Sequence, residues 1–316
     1  MSRYDIIYIG TAIVDSIIRG FDPNPVSATG FVAGSGTLNI GGEAVNGAIA
    51  AAKLGMKTGI LCYLGSDPAG SMIEAELARQ GVDTGLIVRS CEHATPVTTM
   101  FVAEDGSRKS ITNGSHRYNF HPEQYEDRFC DARALVLGSL FRAPFDDPGI
   151  IRRIVETAHA RGIKVFADTK LPNFAKIKLA DISDSLPMID FITPNEDEGR
   201  FYTGQDDPEK MADVFLDAGV RNVIIKLGAR GCLFKNREEM ISLPAYEIDA
   251  LDATGAGDNF LSGFASKIIS GSDAGSALVF ANACGAVCAS EIGACTALKN
   301  SEQIQEFINQ YERRGK

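Results

Sequence analysis

Apolar residues fall in short unbroken runs along the chain: Ile6–Ile9, Ile60–Leu64, Leu135–Leu137, Val165–Ala167, Phe191–Ile192 and Val223–Ile225. Runs of this length without polar alternation suit strands covered on both faces. Helical patterning separates them, at about 43–54, 71–80, 149–161, 208–218, 258–270, 274–290 and 301–312. Three helical runs end at a glycine just before the next strand, at Gly55, Gly162 and Gly219. A helix C-terminus uses glycine there because the chain needs positive φ. Alternating helices and buried strands predict an α/β protein with a mainly parallel sheet between helical layers.

Two segments break the alternation. Residues 11–40 hold no convincing helix and are rich in Gly, Ser, Thr and Val. Residues 94–113 read as a hairpin, with Pro96–Val102 and Arg108–Thr112 joined by a turn at Asp105-Gly106. Both segments predict a small β layer outside the main sheet. No linker, low-complexity tract or tandem repeat divides the 316 residues.

Charge narrows the functional classes. Thirty-one Lys and Arg stand against 41 Asp and Glu, a net charge of −10. That balance argues against a partner held by phosphate charge, so no nucleic acid is expected. It leaves nucleotides open, because backbone N–H groups can hold a small phosphate. Seven cysteines, an odd number with no C-x-x-C, imply no disulfide framework. Cys284 and Cys288 read as buried reduced thiols rather than a metal pair, which fits a cytoplasmic location. Asp5 and Asp15 interrupt the N-terminal apolar stretch, unlike a secretory signal. The 17-residue stretch Ala274–Ser290 is too short and too polar for a membrane span.

The P-loop and the dinucleotide fingerprint are both absent, as are a nucleophile elbow and His-rich metal spacings. The densest site-like segment is Leu251-Asp252-Ala253-Thr254-Gly255-Ala256-Gly257-Asp258-Asn259-Phe260, just before a helical run. With no bulky side chain over Gly255-Ala256-Gly257, the N–H groups at the helix start can face an anion. Asp258 alone could be an N-cap, but an N-cap rarely needs Gly-x-Gly and a second Asp six residues earlier. The second segment runs from Gly41-Gly42-Glu43-Ala44-Val45-Asn46 to Gly55 and on through Gly65-Ser66-Asp67-Pro68-Ala69-Gly70. A Gly-Gly pair opening a helix admits a ligand close to the backbone. Asn46 would lie one turn in, its amide available to hydroxyls. Tight packing of a small-residue helix explains Ala48 and Ala50–Ala52, but not Gly41, Gly42 or Asn46.

Together these segments resemble the two signatures of the ribokinase-like, or PfkB, carbohydrate kinases, and the resemblance runs from Gly10 to about Gly293. Thr193-Pro194-Asn195-Glu196-Asp197-Glu198 is similar to that family's Asn-x-x-Glu motif, and Lys226-Leu227-Gly228-Ala229-Arg230-Gly231 to its nucleotide-side strand and turn. The resemblance implies a ribokinase-like three-layer α/β/α sandwich of about nine strands. It makes 1–316 a single kinase domain, with a discontinuous β lid from about 11–40 and 94–113. It implies transfer of the γ-phosphoryl of ATP, with Mg²⁺, to a hydroxymethyl group of a sugar or sugar derivative. Asp258 would be the general base and Gly255, Ala256 and Gly257 the anion hole. Asn195 and Glu198 would help place Mg²⁺, Lys226, Gly228 and Gly231 would lie along the nucleotide, and Asn282 near the adenine. Asp15, Gly41, Gly42 and Asn46 would hold substrate hydroxyls. Asp252 and Thr254 would bind a monovalent cation such as K⁺, as in some relatives. Lid edge strands invite pairing with a second copy, hence a homodimer.

Each peripheral assignment keeps a plainer rival. Asp15 and Asn195 could be turn residues, Glu198 a solvated helix face, and Asn282 a satisfied core amide. Lys226 could pair with any carboxylate. Asp168-Thr169-Lys170 departs from the Asp-x-Asn common in relatives, and Lys170 could reach a phosphate or an acidic substrate, or simply be solvated. Arg108, His116 and Arg117 are candidates for meeting a charged acceptor. A nucleoside kinase on the same scaffold is the first alternative, with Phe101, Tyr118 and Phe120 as candidate base-stacking residues. A non-catalytic binding protein of the same fold is the second, disfavoured by the intact Asp258 and Gly255-Ala256-Gly257.

Overall fold

The structure is a computed structural model that describes residues 2–20, 33–103, 107–113, 119–172 and 177–314. In chain order its strands are β1 (Tyr4–Ile9), β2 (Ile13–Arg19), β3 (Ser35–Gly41), β4 (Thr58–Leu61), β5 (Tyr63–Gly65), β6 (Val88–Ser90), β7 (Val97–Val102), β8 (Arg108–Thr112), β9 (Ala132–Leu140), β10 (Lys164–Thr169), β11 (Phe191–Ile192), β12 (Asn222–Lys226), β13 (Cys232–Lys235) and β14 (Met240–Leu243). Its α-helices are α1 (Glu43–Lys53), α2 (Pro68–Arg79), α3 (Glu126–Phe129), α4 (Pro148–Ala160), α5 (Glu196–Thr203), α6 (Pro208–Asp217), α7 (Ala256–Ile269), α8 (Ala274–Ala289) and α9 (Ser301–Arg314).

Three helices start on the same local device. Asp67, Asp147 and Asp207 each cap a helix whose first residue is Pro68, Pro148 or Pro208. The aspartate accepts from free N–H groups of the first turn, and proline there forfeits no helical hydrogen bond. Gly55, Gly162 and Gly219 all take positive φ at the ends of their helices, as their positions predict.

Eight strands form the main sheet in the order β14-β13-β12-β11-β10-β9-β1-β4. Pairing is parallel from β4 to β12 and antiparallel for β13 and β14. Alternate residues of β1 serve opposite layers. Ile7 and Ile9 pack with α4 and α6 side chains such as Ile151 and Phe215. Ile6 and Tyr8 pack with α1, α7 and α8 side chains such as Ile49, Phe264 and Leu278. This is the three-layer α/β/α arrangement expected from the alternating pattern. A second sheet, β3-β2-β7-β8, forms the small β layer. Its β7–β8 hairpin pairs Thr98 with Thr112 and Val102 with Arg108; the turn at Asp105-Gly106 lies outside the described residues.

Three expectations need correction. The run 60–64 is not one strand: β4 ends at Leu61, and β5 pairs with β6 in a separate two-stranded sheet. Its unbroken apolar character reflects burial of both halves, which pattern alone cannot divide. Among the described residues the main sheet has eight strands, where the resemblance implied about nine. Phe120 is only 3% exposed and stacks on Tyr63 with ring centroids 6.0 Å apart, so it is a core residue and not available to sandwich a base. Tyr118, His116 and Arg117 lie outside the described residues, as does the side chain of Arg108 on β8.

Candidate active site

Chain order reverses at β1, which lies between β4 on one side and β9 on the other. Ligands of open α/β sheets bind at the carboxyl ends of strands beside such a reversal. Here those ends carry Gly10, Ser139, Asp168 to Lys170, Asn195 and Lys226, and the N-termini of α1 and α7 meet them.

α7 begins at Ala256 with Gly255 as its cap residue at φ 78°. A Cβ at Gly255 would come 2.5 Å from the Cβ of Ala294 and 2.7 Å from its Cα, so both conformation and space demand glycine. Asp258 sits in the first turn of α7, and its Oδ2 accepts from Asn46 Nδ2 on α1 at 2.8 Å. Asn46 thus gives one amide N–H to the carboxylate, and an amide nitrogen carries a second. Ser262, one turn further on, locks the two helices together. Its Oγ lies 2.7 Å from the carbonyl oxygen of Asp258, 3.0 Å from that of Gly47 and 2.7 Å from Tyr8 Oη, so its one proton has a carbonyl acceptor on either helix. Neither Ser262 nor Tyr8 carried a local signal, since they meet across 254 positions.

Asp258 is only partly buried, yet burial raises its pKa, with Glu43 and Asp168 adding to the rise against Lys170 and Asn46, to about 7. A group titrating there is suited to accept a proton at neutral pH.

Asn195 caps α5, and the sequence motif forms a reciprocal capping box. Glu198 N donates to Asn195 Oδ1 and Asn195 N to Glu198 Oε2, each at 2.9 Å. Glu198 is 3% exposed, so it is no solvated face. Thr169 Oγ1 donates to the same Oε2 at 2.8 Å, so the second carboxylate oxygen takes no part in these bonds. Burial, then Asp168, raises the Glu198 pKa against the opposing effect of Lys226. A cation arriving here would relieve that strain.

Lys226 ends β12, and its Nζ lies 2.6 Å from Asp168 Oδ1. It also stands 3.3 Å from where a Cβ on Gly257 would be, which places a positive charge against the Gly255–Gly257 loop. Lys170 forms a second pair, 3.5 Å from Glu43. Glu43, Asp168 and Thr169 are site residues that motif reading assigned no role; only Asp168, a carboxylate ending a buried strand, was visible as a signal.

Asp15 lies within β2, paired with Asn39 and Thr98, and so is not a turn residue. Any side chain at Gly41 would run into Asp15 Oδ2, and one at Gly42 into the carbonyl of Thr11. These glycines let the lid strand and the start of α1 close on each other. Gly228 opens a 3-10 turn after β12, and Gly231 packs against the carbonyl of Leu243. Asn282, on α8, donates to the carbonyl of Pro244 at 3.3 Å. Asp252 accepts from Thr254 N and Oγ1 at 3.0 and 2.6 Å and from Gly293 N at 3.1 Å, tying two loops together. Beside them the buried Asn259 donates to the carbonyls of Gly255 and Ala294, while its Oδ1 has no hydrogen-bond partner. Among the described residues, no three His, Cys, Asp or Glu side chains form a metal site by themselves, and no helix is long and apolar enough to cross a membrane.

The chain matches a known sequence profile, that of the pfkB family carbohydrate kinases, over residues 9–301. The chain belongs to that family. This carbohydrate kinase is 29% identical to a ribokinase of Haemophilus influenzae, over 85% of this chain and 87% of the relative. It is 25% identical to a deoxyribokinase of Salmonella typhi, over 96% and 99%. In fold it is similar to Arabidopsis thaliana ribokinase solved with ribose and ATP, with TM-score 0.86 at 23% identity over 98% of this chain and 99% of that one.

Proposed function

We propose that this kinase transfers the γ-phosphoryl of ATP to a hydroxymethyl group of a sugar or sugar derivative, with Asp258 as the general base. The observation that carries the reading is Asp258 itself. It is held by Asn46, has a pKa near neutrality, and stands at the N-terminus of α7 beside the Gly255-Ala256-Gly257 amides and Lys226.

In this reading Asp258 takes the proton of the acceptor hydroxyl as its oxygen bonds to the γ-phosphorus. The bond from that phosphorus to the bridging oxygen breaks, and ADP leaves with the electron pair. Phosphoryl transfer asks for positioning and charge stabilisation more than covalent chemistry. The loop amides and the α7 dipole supply the second. Asp15, Gly41, Gly42 and the second amide N–H of Asn46 hold the acceptor under the small sheet, which acts as a lid that excludes water. Gly228, Gly231 and Asn282 line the nucleotide side.

The donor set fits Mg²⁺: Glu198 keeps one oxygen outside its capping bonds, and this ion binds one or two carboxylates together with phosphates and water. Bound there, Mg²⁺ would neutralise phosphate charge. The unpartnered Oδ1 of Asn259 supports a monovalent cation near Asp252 and Thr254. We also place a homodimer contact on the lid, where Leu38 and Ile111 are 61% and 71% exposed.

The test is ADP release with Mg²⁺ and ATP across sugars, sugar acids and nucleosides, with Asp258→Asn in parallel. Turnover on a sugar, lost in the variant by about 10²–10⁴-fold, is the expected result. Turnover confined to nucleosides would replace the acceptor class. Full activity in Asp258→Asn would remove Asp258 as the base.

A further inference from the structure

Lys170 is fixed at its root and open at its tip. Its backbone N–H donates to Leu140 O at 3.0 Å, and its carbonyl accepts from Tyr202 Oη at 2.7 Å. The end of β10 is thereby clamped against β9 and α5. Its side chain remains 32% exposed, against 14% for Lys226.

The two lysines are held differently. Lys226 is bound to Asp168 at 2.6 Å, as close as a charge-assisted hydrogen bond comes. Lys170 stands 3.5 Å from Glu43, longer than such a bond, and an ammonium has three donors. Glu43 is the first residue of α1, and Asn46, three residues on, holds Asp258. Residues three apart share a helix face. Lys170 is thus held one helical turn from the residue that holds the base.

The charge balance gives this placement a consequence. Glu43, Asp168, Glu198 and Asp258 face Lys170, Lys226 and Arg142, and the Nε of Arg142 is turned to the carbonyl of Leu171 at 2.6 Å. A polyphosphate entering a site with more acids than available cations needs a donor from the acceptor side. Of the two lysines, Lys170 has the looser ion pair and the more open tip.

We propose that Lys170 is a catalytic residue whose ammonium, steadied by Glu43, donates to oxygens of the transferring γ-phosphoryl from the acceptor side. The inference rests on the kinase reading above. It makes Lys170 a sensor of the third phosphate: it would touch nothing in a bound diphosphate.

Calorimetry with the Mg²⁺ complexes of AMP-PNP and ADP tests it without turnover. Lys170→Met should weaken AMP-PNP at least tenfold while leaving ADP within twofold of the wild type. Lys170→Arg should recover part of the loss. Equal weakening of both nucleotides, with a lowered melting temperature, would make Lys170 a structural strut and overturn the proposal. Unchanged nucleotide binding with a raised KM for the acceptor would make it an acceptor contact, and would overturn it as well. A wild-type protein that bound neither nucleotide would overturn the kinase reading itself.

Discussion

Asn46 and Asp258 lie 212 positions apart in sequence and 2.8 Å apart in space, joined by one amide-to-carboxylate hydrogen bond. The bond crosses from the first helix to the seventh and fixes the orientation of the proposed base. It also favours the ionised carboxylate, opposing burial and the neighbouring acids. A hydrogen bond to a charged group is worth about 1.5–3 kcal/mol. Asn46→Ala should therefore lower kcat about 10- to 100-fold and move the acidic limb of the pH profile upward. Steady-state kinetics between pH 5 and 9 would check both; a lowered kcat with an unmoved limb would reduce Asn46 to packing.

Asp258 titrates near 7 because burial first, then Glu43 and Asp168, disfavour its charge. A base must be unprotonated, so kcat/KM should rise with pH up to about 7 and level off above it. The same shift bears on stability with the opposite sense. The folded-state value lies above the ordinary 3.8, so the contribution of this group is fully present below that value. It is lost as pH rises through about 7. Asp258→Asn should flatten the dependence of melting temperature on pH between about 4 and 7.

Gly255 combines φ 78° with no room for a Cβ beside Ala294. Gly255→Ala should cost at least about 1 kcal/mol of stability and displace the loop amides. Denaturant melts should show the loss, and activity should fall by more than stability alone explains.

Glu198→Gln separates charge from fold, because glutamine also serves in a capping box. The melting temperature should change little, while half-saturation by Mg²⁺ should rise about 10–100-fold. A Mg²⁺ titration of turnover decides it; unchanged half-saturation would confine Glu198 to capping α5.

Leu38 and Ile111 share one cross-strand row of the lid, through Ser16 and Thr99. If a second copy covers that row, Leu38→Lys should convert a dimer into a monomer in light scattering. A wild-type monomer at micromolar concentration would exclude the contact.

The sequence by itself determined the layers and the loop. Short apolar runs between helices specify a buried parallel sheet, because burial on both faces leaves no position for polar residues. Gly255-Ala256-Gly257-Asp258 and Asn195 to Glu198 are local devices, a helix entry and a capping box, whose geometry depends on residues a few positions apart. The tertiary structure decided everything that depends on a partner from another element. Asn46 read as an amide for hydroxyls, and α7 brought one of its N–H groups a carboxylate. Lys226 could have paired with any acid; β10, next but one to β12 in the sheet, gave it Asp168. Glu43 carried no assigned role after two glycines, and the end of β10 made it the partner of Lys170. Local patterns record what a residue does to its own backbone. Strand order and helix packing set which charges face each other, and so where a proton can go.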